Sequence, residues 1–525
     1  MSIQEFDYVI VGAGSAGCVL ADRLSRDPAI SVCLLEAGGS DRHLNVRIPA
    51  AFAKLFRGSR DWDYWSDPEP GLEGRRIYMP RGKMLGGSSS MNAMLYVRGN
   101  AADFDGWAKD GADGWSYADV LPYFRRIEDF SRGADHYRGT GGPLHVTDHR
   151  SRVGVTKQLV AAAVEAGLPY NPDYNGARQE GVSYLQVNQH YGRRWSAADA
   201  WLRPAMSRKN LTVRTGVEVR SVQLLGGRAT GVRLADGLVR ARREVVLSAG
   251  AIGTPLVLMR SGIGPADHLR EVGIEVAVDN PNVGEHYQDH PFFLLNWETT
   301  AKGTLAEAET PRQLLDFVVR GRGLLTSTVA EGAAFLSTGD QSEAPDLQLH
   351  FGAAYFHNHG FDAYPAPAFA IAPTLVAPRS RGRIRLRSAD PAAAPSIVGN
   401  HLTEQSDVDA MVAGVELARE IVRQPAIADL TVREIDPGSH VQDRAAIVHA
   451  LRRDTELIYH PTSTARMGPQ DRAVVDPELR VHGVAGLRVV DASVFPTIPR
   501  GNTNAATYMV AERAADLILG TGQRS

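Results

Sequence analysis

The run FDYVIV, residues 6–11, stops at Gly12, and Gly12-Ala13-Gly14-Ser15-Ala16-Gly17 then spells G-x-G-x-x-G ahead of a helical apolar face of Cys18, Val19, Leu20 and Leu24. No other feature restricts the fold as much. Gly12 permits a tight turn, Gly14 lets the backbone approach a pyrophosphate, and Gly17 allows a helix to lie close on a strand. The helix start at Ser15 and Ala16 then faces the negative charge with unpaired N–H groups. A second strand over residues 31–35 ends at Glu36, nineteen residues after Gly17, with Ala37 following. Glu36 is thereby placed to accept hydrogen bonds from a ribose. Strand, glycine turn, helix and strand within about 30 residues make a βαβ unit that binds a dinucleotide. The motif alone does not choose between NAD and FAD.

A chain of 525 residues exceeds one ordinary core and suits two domains sharing a cleft. The formal charge of −3 gives no net field for nucleic acid or anionic lipid, so small molecules are the expected partners. The two cysteines, Cys18 and Cys33, both fall in the first βαβ unit, so no disulfide framework is expected and a reducing cytoplasm fits. No stretch of about 18 apolar residues occurs, and no signal peptide is visible, which leads to the expectation of a soluble protein with no transmembrane segment.

Residues 41–82, rich in Trp, Tyr, Pro and Arg, read as ordered loops wrapping something. Short alternating strands follow from Leu211, with Val219 in the strand VEVRSV, and another strand over residues 244–248. The middle of the chain mixes strands such as PDLQLHFGA with helices near 408–424 and 443–452. The tail returns to nucleotide-fold texture: GLRVVDAS as a strand, then a helix from Thr503 with Ala506, Met509, Val510 and Ala514 on one face. We expect a discontinuous cofactor-binding domain over 1–155, 195–296 and 453–525, and a second domain over 156–194 and 297–452. The fold class is α/β and α+β, a Rossmann-type domain with a second, sheet-based domain.

The segment GKMLGGSSSMNAMLYVRG, residues 82–99, offers backbone and hydroxyl donors that suit a pyrophosphate and a flavin edge. Together with GAIGTPLVLMRSGIGP at 250–265, NVGEHYQDHP at 282–291, YHPTSTARMG at 459–468, and DASVFP and GNTNAAT near the C-terminus, it resembles the glucose-methanol-choline (GMC) oxidoreductases. These blocks run in the family's order from residue 6 to about 519. The resemblance implies FAD as cofactor, a flavin domain joined to a sheet-based substrate domain, and oxidation of alcohols to carbonyl compounds. Oxygen or a quinone-type compound would be the electron acceptor.

By position, the resemblance assigns Gly12, Gly14, Ser15, Ala16, Gly17, Glu36 and Ala37 to the adenosine and pyrophosphate. Gly86, Gly87, Asn92, Ala93 and Met94 match the loop along the flavin, and Val219 a place beside the adenine. Asp491 and Ala492 match residues near the ribityl chain, and Thr503 and Asn504 the C-terminal helix start, whose positive end suits a reduced flavin. In members with covalently attached flavin a histidine stands directly before the loop asparagine. Here that residue is Met91, which implies non-covalent FAD.

Alcohol oxidation needs a base for the hydroxyl proton, and histidine is suited to that near neutral pH. His460 stands at the family's active-site histidine, with Asn502 opposite it, where an amide can orient the substrate oxygen but cannot act as a base. Asn502 also fits an N-cap of the helix expected there. His350 matches a histidine that faces the substrate. His286, Asp289 and His290 have a spacing that invites a metal, but their family block points to a structural role, and no metal is expected. In choline-oxidising members an acid follows D-H-P, and here Phe292 does. A tryptophan that helps enclose the ammonium corresponds to Ala330, beside the unassigned Glu331. Phe292 and Ala330 imply an apolar pocket for a neutral primary alcohol. Two other readings stand beside this one: a lyase or decarboxylase retaining the flavin fold, and a flavin-free nucleotide-binding module.

Overall fold

β-Branched and aliphatic runs buried on both faces build a parallel sheet core. Its strands lie in the order Leu211–Thr215, Val32–Glu36, Gln4–Val11 and Leu238–Leu247, all parallel, with Leu487–Val489 alongside the last of them. Leu238–Leu247 is long enough to serve two partners. Gln4–Val11 pairs with it along nearly its whole length on one side, while on the other its second half pairs with Leu487–Val489 and its first half extends the sheet as an antiparallel meander with Arg228–Arg233 and Ser221–Leu225. This is a computed structural model, which describes residues 4–339 and 344–521. The extreme ends of the expected FAD-binding domain, 1–3 and 522–525, and residues 340–343 of the expected substrate domain lie outside the described residues.

The helix Ser15–Leu24 leaves the first strand through Gly12, whose φ of +98° favours glycine, and a Cβ on Gly17 would come within 1.9 Å of Gly12 O. Only a hydrogen at Gly17 allows this helix to seat on the sheet. The C-terminal helix Asn504–Leu519 packs against it, and Arg23 ties the two together through Glu512 and, at 2.6 Å, Asp516.

A second, antiparallel sheet runs in the order Thr431–Asp436, Leu295–Thr299, Ala368–Leu375, Leu347–Gly352, Ala330–Leu336 and Gly181–Tyr184. The fold is therefore of the two-part class expected, a Rossmann-like domain with a sheet-based partner. The short strands Pro291–Phe292 and Glu456–Leu457 pair with each other and join this second sheet through Ala368–Leu375. The sequence texture had grouped both with the other domain. Their ladder bonds lie at the seam, where the chain crosses between sheets. Alternation along the strands gives the second sheet two different faces. Pro373 and Leu347 pack on the helix Gln405–Val422, and Phe351 points to the helix Gly154–Glu165 beside Gly332. His350, Ala370 and Ala372 face the other way, into a cavity.

Local readings shift at glycines. Val219 is not in a strand: Leu211–Thr215 ends at Gly216, with φ +71°, and the next strand starts only at Ser221. The loops over 41–82 hold short helices at Leu44–Arg47 and Pro49–Leu55 and a two-residue hairpin of Tyr64–Trp65 with Tyr78–Met79. Among the described residues no helix is long and apolar enough to cross a membrane.

Candidate active site

A cavity of about 520 Å³ is lined by residues of both sheets and reaches from the glycine turn to the apolar face of the second sheet. At one end two helix N-termini meet. The helix Ser15–Leu24 has Gly14 as its N-cap, Asn504–Leu519 has Thr503, and neither has a side-chain cap. Their first N–H groups are thus free of capping side chains, and a hydroxyl-to-amide hydrogen bond of 2.7 Å from Ser15 Oγ to Asn504 Oδ1 joins the two ends. A Cβ on Gly87 would stand 2.7 Å from Gly14 Cα, so the second glycine loop passes directly over the first. Such a cradle fits the pyrophosphate of FAD. Ser248 Oγ, Asn502 Oδ1 and His350 Nε2, on three residues of the lining, are buried without a hydrogen-bond partner among the described residues, as expected of a site built around a polar ligand.

Of the residues assigned to the cofactor, Gly12, Gly14, Ser15, Ala16, Glu36, Ala37, Gly87, Asn92, Ala93, Met94, Val219, Asp491, Ala492, Thr503 and Asn504 line the cavity. Gly17 and Gly86 do not. Gly17 serves helix packing, and Gly86 donates its N–H to Ala13 O at 2.8 Å, joining the two loops from behind. Glu36 has more to do than meet a ribose. Its carboxylate accepts the N–H of Ala13 and of Gly38, each at 2.8 Å, and burial raises its pKa. Asp491 caps the turn Ala492–Val494 and accepts bonds from Gly250 N–H and Thr254 Oγ1 at 2.9 and 2.6 Å.

Sequence reasoning passed over Arg194. It is buried, its pKa pushed down to about 9 by desolvation, and it donates to Asn92 Oδ1 at 2.7 Å, Ser89 O at 3.1 Å and Val46 O at 2.8 Å. The loop along the expected flavin edge is thereby pinned. No spacing rule marks such an arginine, because its partners lie about a hundred residues or more away. Met91 is buried in the same wall.

At the other end stand His460, Asn502, His350, Phe292 and Ala330. Asn502 Nδ2 lies 3.2 Å from His460 Nε2, and His460 Nδ1 lies 3.0 Å from His290 Nδ1. With the amide donating to Nε2, that nitrogen is unprotonated, and the ring's proton sits on Nδ1, donated to His290. His290, read from sequence as structural, is thus a direct partner of His460. Thr503, not Asn502, is the helix N-cap, so the Asn502 amide is not used in capping. Asp289 Oδ1 accepts the backbone N–H of both His290, at 2.8 Å, and His460, at 2.7 Å. Desolvation lowers the pKa of His460 well below the ordinary 6.5, with His290, the Arg81 guanidinium and His350 adding to the effect. His350 donates to or accepts from Thr374 Oγ1 at 3.0 Å, and burial brings its pKa to about 4.

Glu331 is turned away from the cavity. A bulge between Ala330 and Gly332 sends its carboxylate to the start of the helix Gly154–Glu165, where it accepts Val153 N–H at 2.7 Å and Thr156 Oγ1 at 3.1 Å. Phe52, Phe56, Phe356 and Tyr459 complete the wall.

Two family models described as GMC oxidoreductase match the chain, one over residues 6–292 and one over 378–511. The chain is 47% identical over 525 residues to an uncharacterized GMC-type oxidoreductase of Mycobacterium tuberculosis, covering 98% of this chain and 99% of the relative. It is 43% identical over 539 residues to an oxygen-dependent choline dehydrogenase of Sinorhizobium fredii, covering 98% and 96%. The crystal structure of pyridoxine 4-oxidase from Mesorbium loti superposes with a TM-score of 0.89 at 32% identity, over 97% of this chain and 98% of that one.

Glu36 provides a test of the cradle that needs no cofactor. Glu36→Ala leaves two buried N–H groups unpaired, at about 1–3 kcal/mol each. The urea midpoint of the apoprotein should fall accordingly, and an unchanged midpoint would show that the glycine turn does not lean on this carboxylate.

Proposed function

Because the chain belongs to the GMC oxidoreductase family, we propose that it oxidises a neutral, at least partly apolar primary alcohol to an aldehyde, with His460 as the base and Asn502 orienting the substrate oxygen. The protein is an FAD-dependent oxidoreductase of the alcohol oxidase or dehydrogenase type. The observation that carries the finer reading is the 3.2 Å pairing of His460 Nε2 with the Asn502 amide at the apolar end of the cavity.

FAD, when bound, accepts the hydride that leaves the alcohol carbon. The chain's own part is to take the hydroxyl proton and hold the oxygen. A hydroxyl entering between the pair donates to His460 Nε2 and accepts from Asn502 Nδ2, so both groups act on one oxygen. His460 is ready for this because burial keeps it neutral, and its Nδ1 proton is held by His290. His350, with Nε2 free, offers the oxygen a second contact. Aromatic rings exclude water from the carbon skeleton.

The charge at this end argues for a neutral substrate. Arg81 lies in the wall with its guanidinium on Pro80 O and Tyr459 O, and its charge already disfavours a protonated His460. The acids of the lining, Glu36, Glu218 and Asp491, stand with residues of the cofactor end, while Phe292 occupies the place after D-H-P and Glu331 is spent on a helix start. A desolvated ammonium lacks a counter-charge there.

His460→Ala should retain FAD and lose about 10²- to 10⁴-fold in the rate of anaerobic flavin reduction, on the order of 3–5 kcal/mol of barrier. In the unaltered enzyme the base works unprotonated, so the rate should hold as pH falls from 8 to 6.5 and decline only below the ordinary histidine value. An acid limb centred at or above 6.5 would exclude a neutral, desolvated His460.

Substrate class is read by comparing flavin reduction by benzyl alcohol, hexanol and choline at equal concentration without oxygen. The two neutral alcohols should be faster, and choline as the best of the three would overturn the pocket assignment.

A thioether at Met91 cannot form the imidazole link to a flavin, which supports non-covalent FAD. Acid precipitation should release the yellow colour to the supernatant; colour kept in the pellet would mean a covalent bond elsewhere.

A further inference from the structure

The helix Pro311–Arg320 turns its aliphatic side outward. Its Phe317 is buried against Ile48, Ala51 and Leu325, whereas Leu314, Leu315, Val318 and Val319 are 43, 63, 53 and 69% exposed. Tyr191, 67% exposed, extends the patch, since its carbonyl packs on Gly321 at the helix C-cap. Isolated exposed aliphatic residues are ordinary, but four on two adjoining turns are not.

Arginines frame the patch. Arg193 donates from Nη2 to Val318 O at 3.2 Å, Arg150 stands over the Tyr191 ring at 5.6 Å, Arg312 lies in the first turn of the helix and Arg322 two residues past its end. All four are exposed, and among the described residues none of them makes an ion pair. The acids of the same segment are already engaged, Asp316 with Arg320 at 3.0 Å and Glu309 with Lys54. On a chain of net charge −3 this is a local cationic rim around an apolar face.

We propose that this face docks on an anionic lipid bilayer, with the aliphatic side chains entering the headgroup–acyl boundary and the arginines meeting lipid phosphates. A second copy of the chain is a poorer occupant. In a two-fold contact the patch meets itself, so unpaired arginines would face arginines. The placement also has a use. The helix rests on Pro49–Leu55, which supplies Phe52 to the cavity wall, and the chain continues through Leu324–Thr326 into Thr328, Val329 and Ala330 of that wall. Docking would set the wall beside the phase in which apolar alcohols and lipid-soluble acceptors concentrate.

The test is co-sedimentation of the FAD-loaded full chain with vesicles of phosphatidylcholine alone or mixed with phosphatidylglycerol. Unaltered protein should pellet with the anionic vesicles, less so at high salt, and weakly with phosphatidylcholine. Leu315→Asp with Val319→Asp should lower the bound fraction about tenfold or more, while flavin reduction by soluble benzyl alcohol stays as in the parent. Arg312→Ser with Arg322→Ser should weaken binding to anionic vesicles alone. Failure of the parent to pellet, or pelleting that the aspartates leave unchanged, would overturn the proposal. So would a dimer in light scattering that the aspartates split, since the face would then belong to a second copy.

Discussion

Two uncapped helix N-termini point into the same cavity, and much of the site is arranged around the positive potential they share. A helix start without a capping side chain leaves N–H groups that must find partners, and burying two such starts side by side is costly unless an anion arrives. The Ser15–Asn504 hydrogen bond holds the starts in register, and the Gly87 loop lies on Gly14 at a distance that no side chain would permit. Those contacts bring chain segments nearly five hundred residues apart to one spot, so the first and last helices define the cofactor end together.

The reactive end depends on burial of a different kind. Here the lining is apolar, and the polar groups that remain are tied to backbone or to each other. Asp289 holds the backbone of His290 and His460 through one carboxylate oxygen, while Arg81 reaches Tyr459 O, the residue before His460. Tyr459 has φ +66°, a left-handed conformation unusual for a tyrosine, and its hydroxyl is bonded to His359 at 2.8 Å. The same low-polarity surroundings lower the pKa of His460.

Particular residues show where sequence reading stopped. Glu36 was found by its spacing from Gly17, since the βαβ unit is local and its length is fixed, but the two N–H groups it accepts were not visible. Val219 lines the cavity, but from a loop and not from the strand that its sequence suggests, because the strand ends before Gly216, whose backbone is left-handed. His290 reads from sequence as structural because it falls inside the family block NVGEHYQDHP. Its contact is with His460, 170 residues away, across the ladder between Pro291–Phe292 and Glu456–Leu457. Glu331 lay next to a lining residue, and only a bulge decides that it faces a helix.

The sequence by itself determined the family, the glycine turn with its βαβ unit and the two-part architecture, since these follow from short-range spacing and from long blocks kept in order. The tertiary structure alone decided which groups touch: that Arg194 pins Asn92, that His290 backs His460, that Glu331 is withdrawn from the pocket, and that the aliphatic face of Pro311–Arg320 is left to solvent. Hydrophobic periodicity says that a helix has an apolar side but not what that side meets. Partners distant in the chain are joined by packing, and packing is a property of the whole fold.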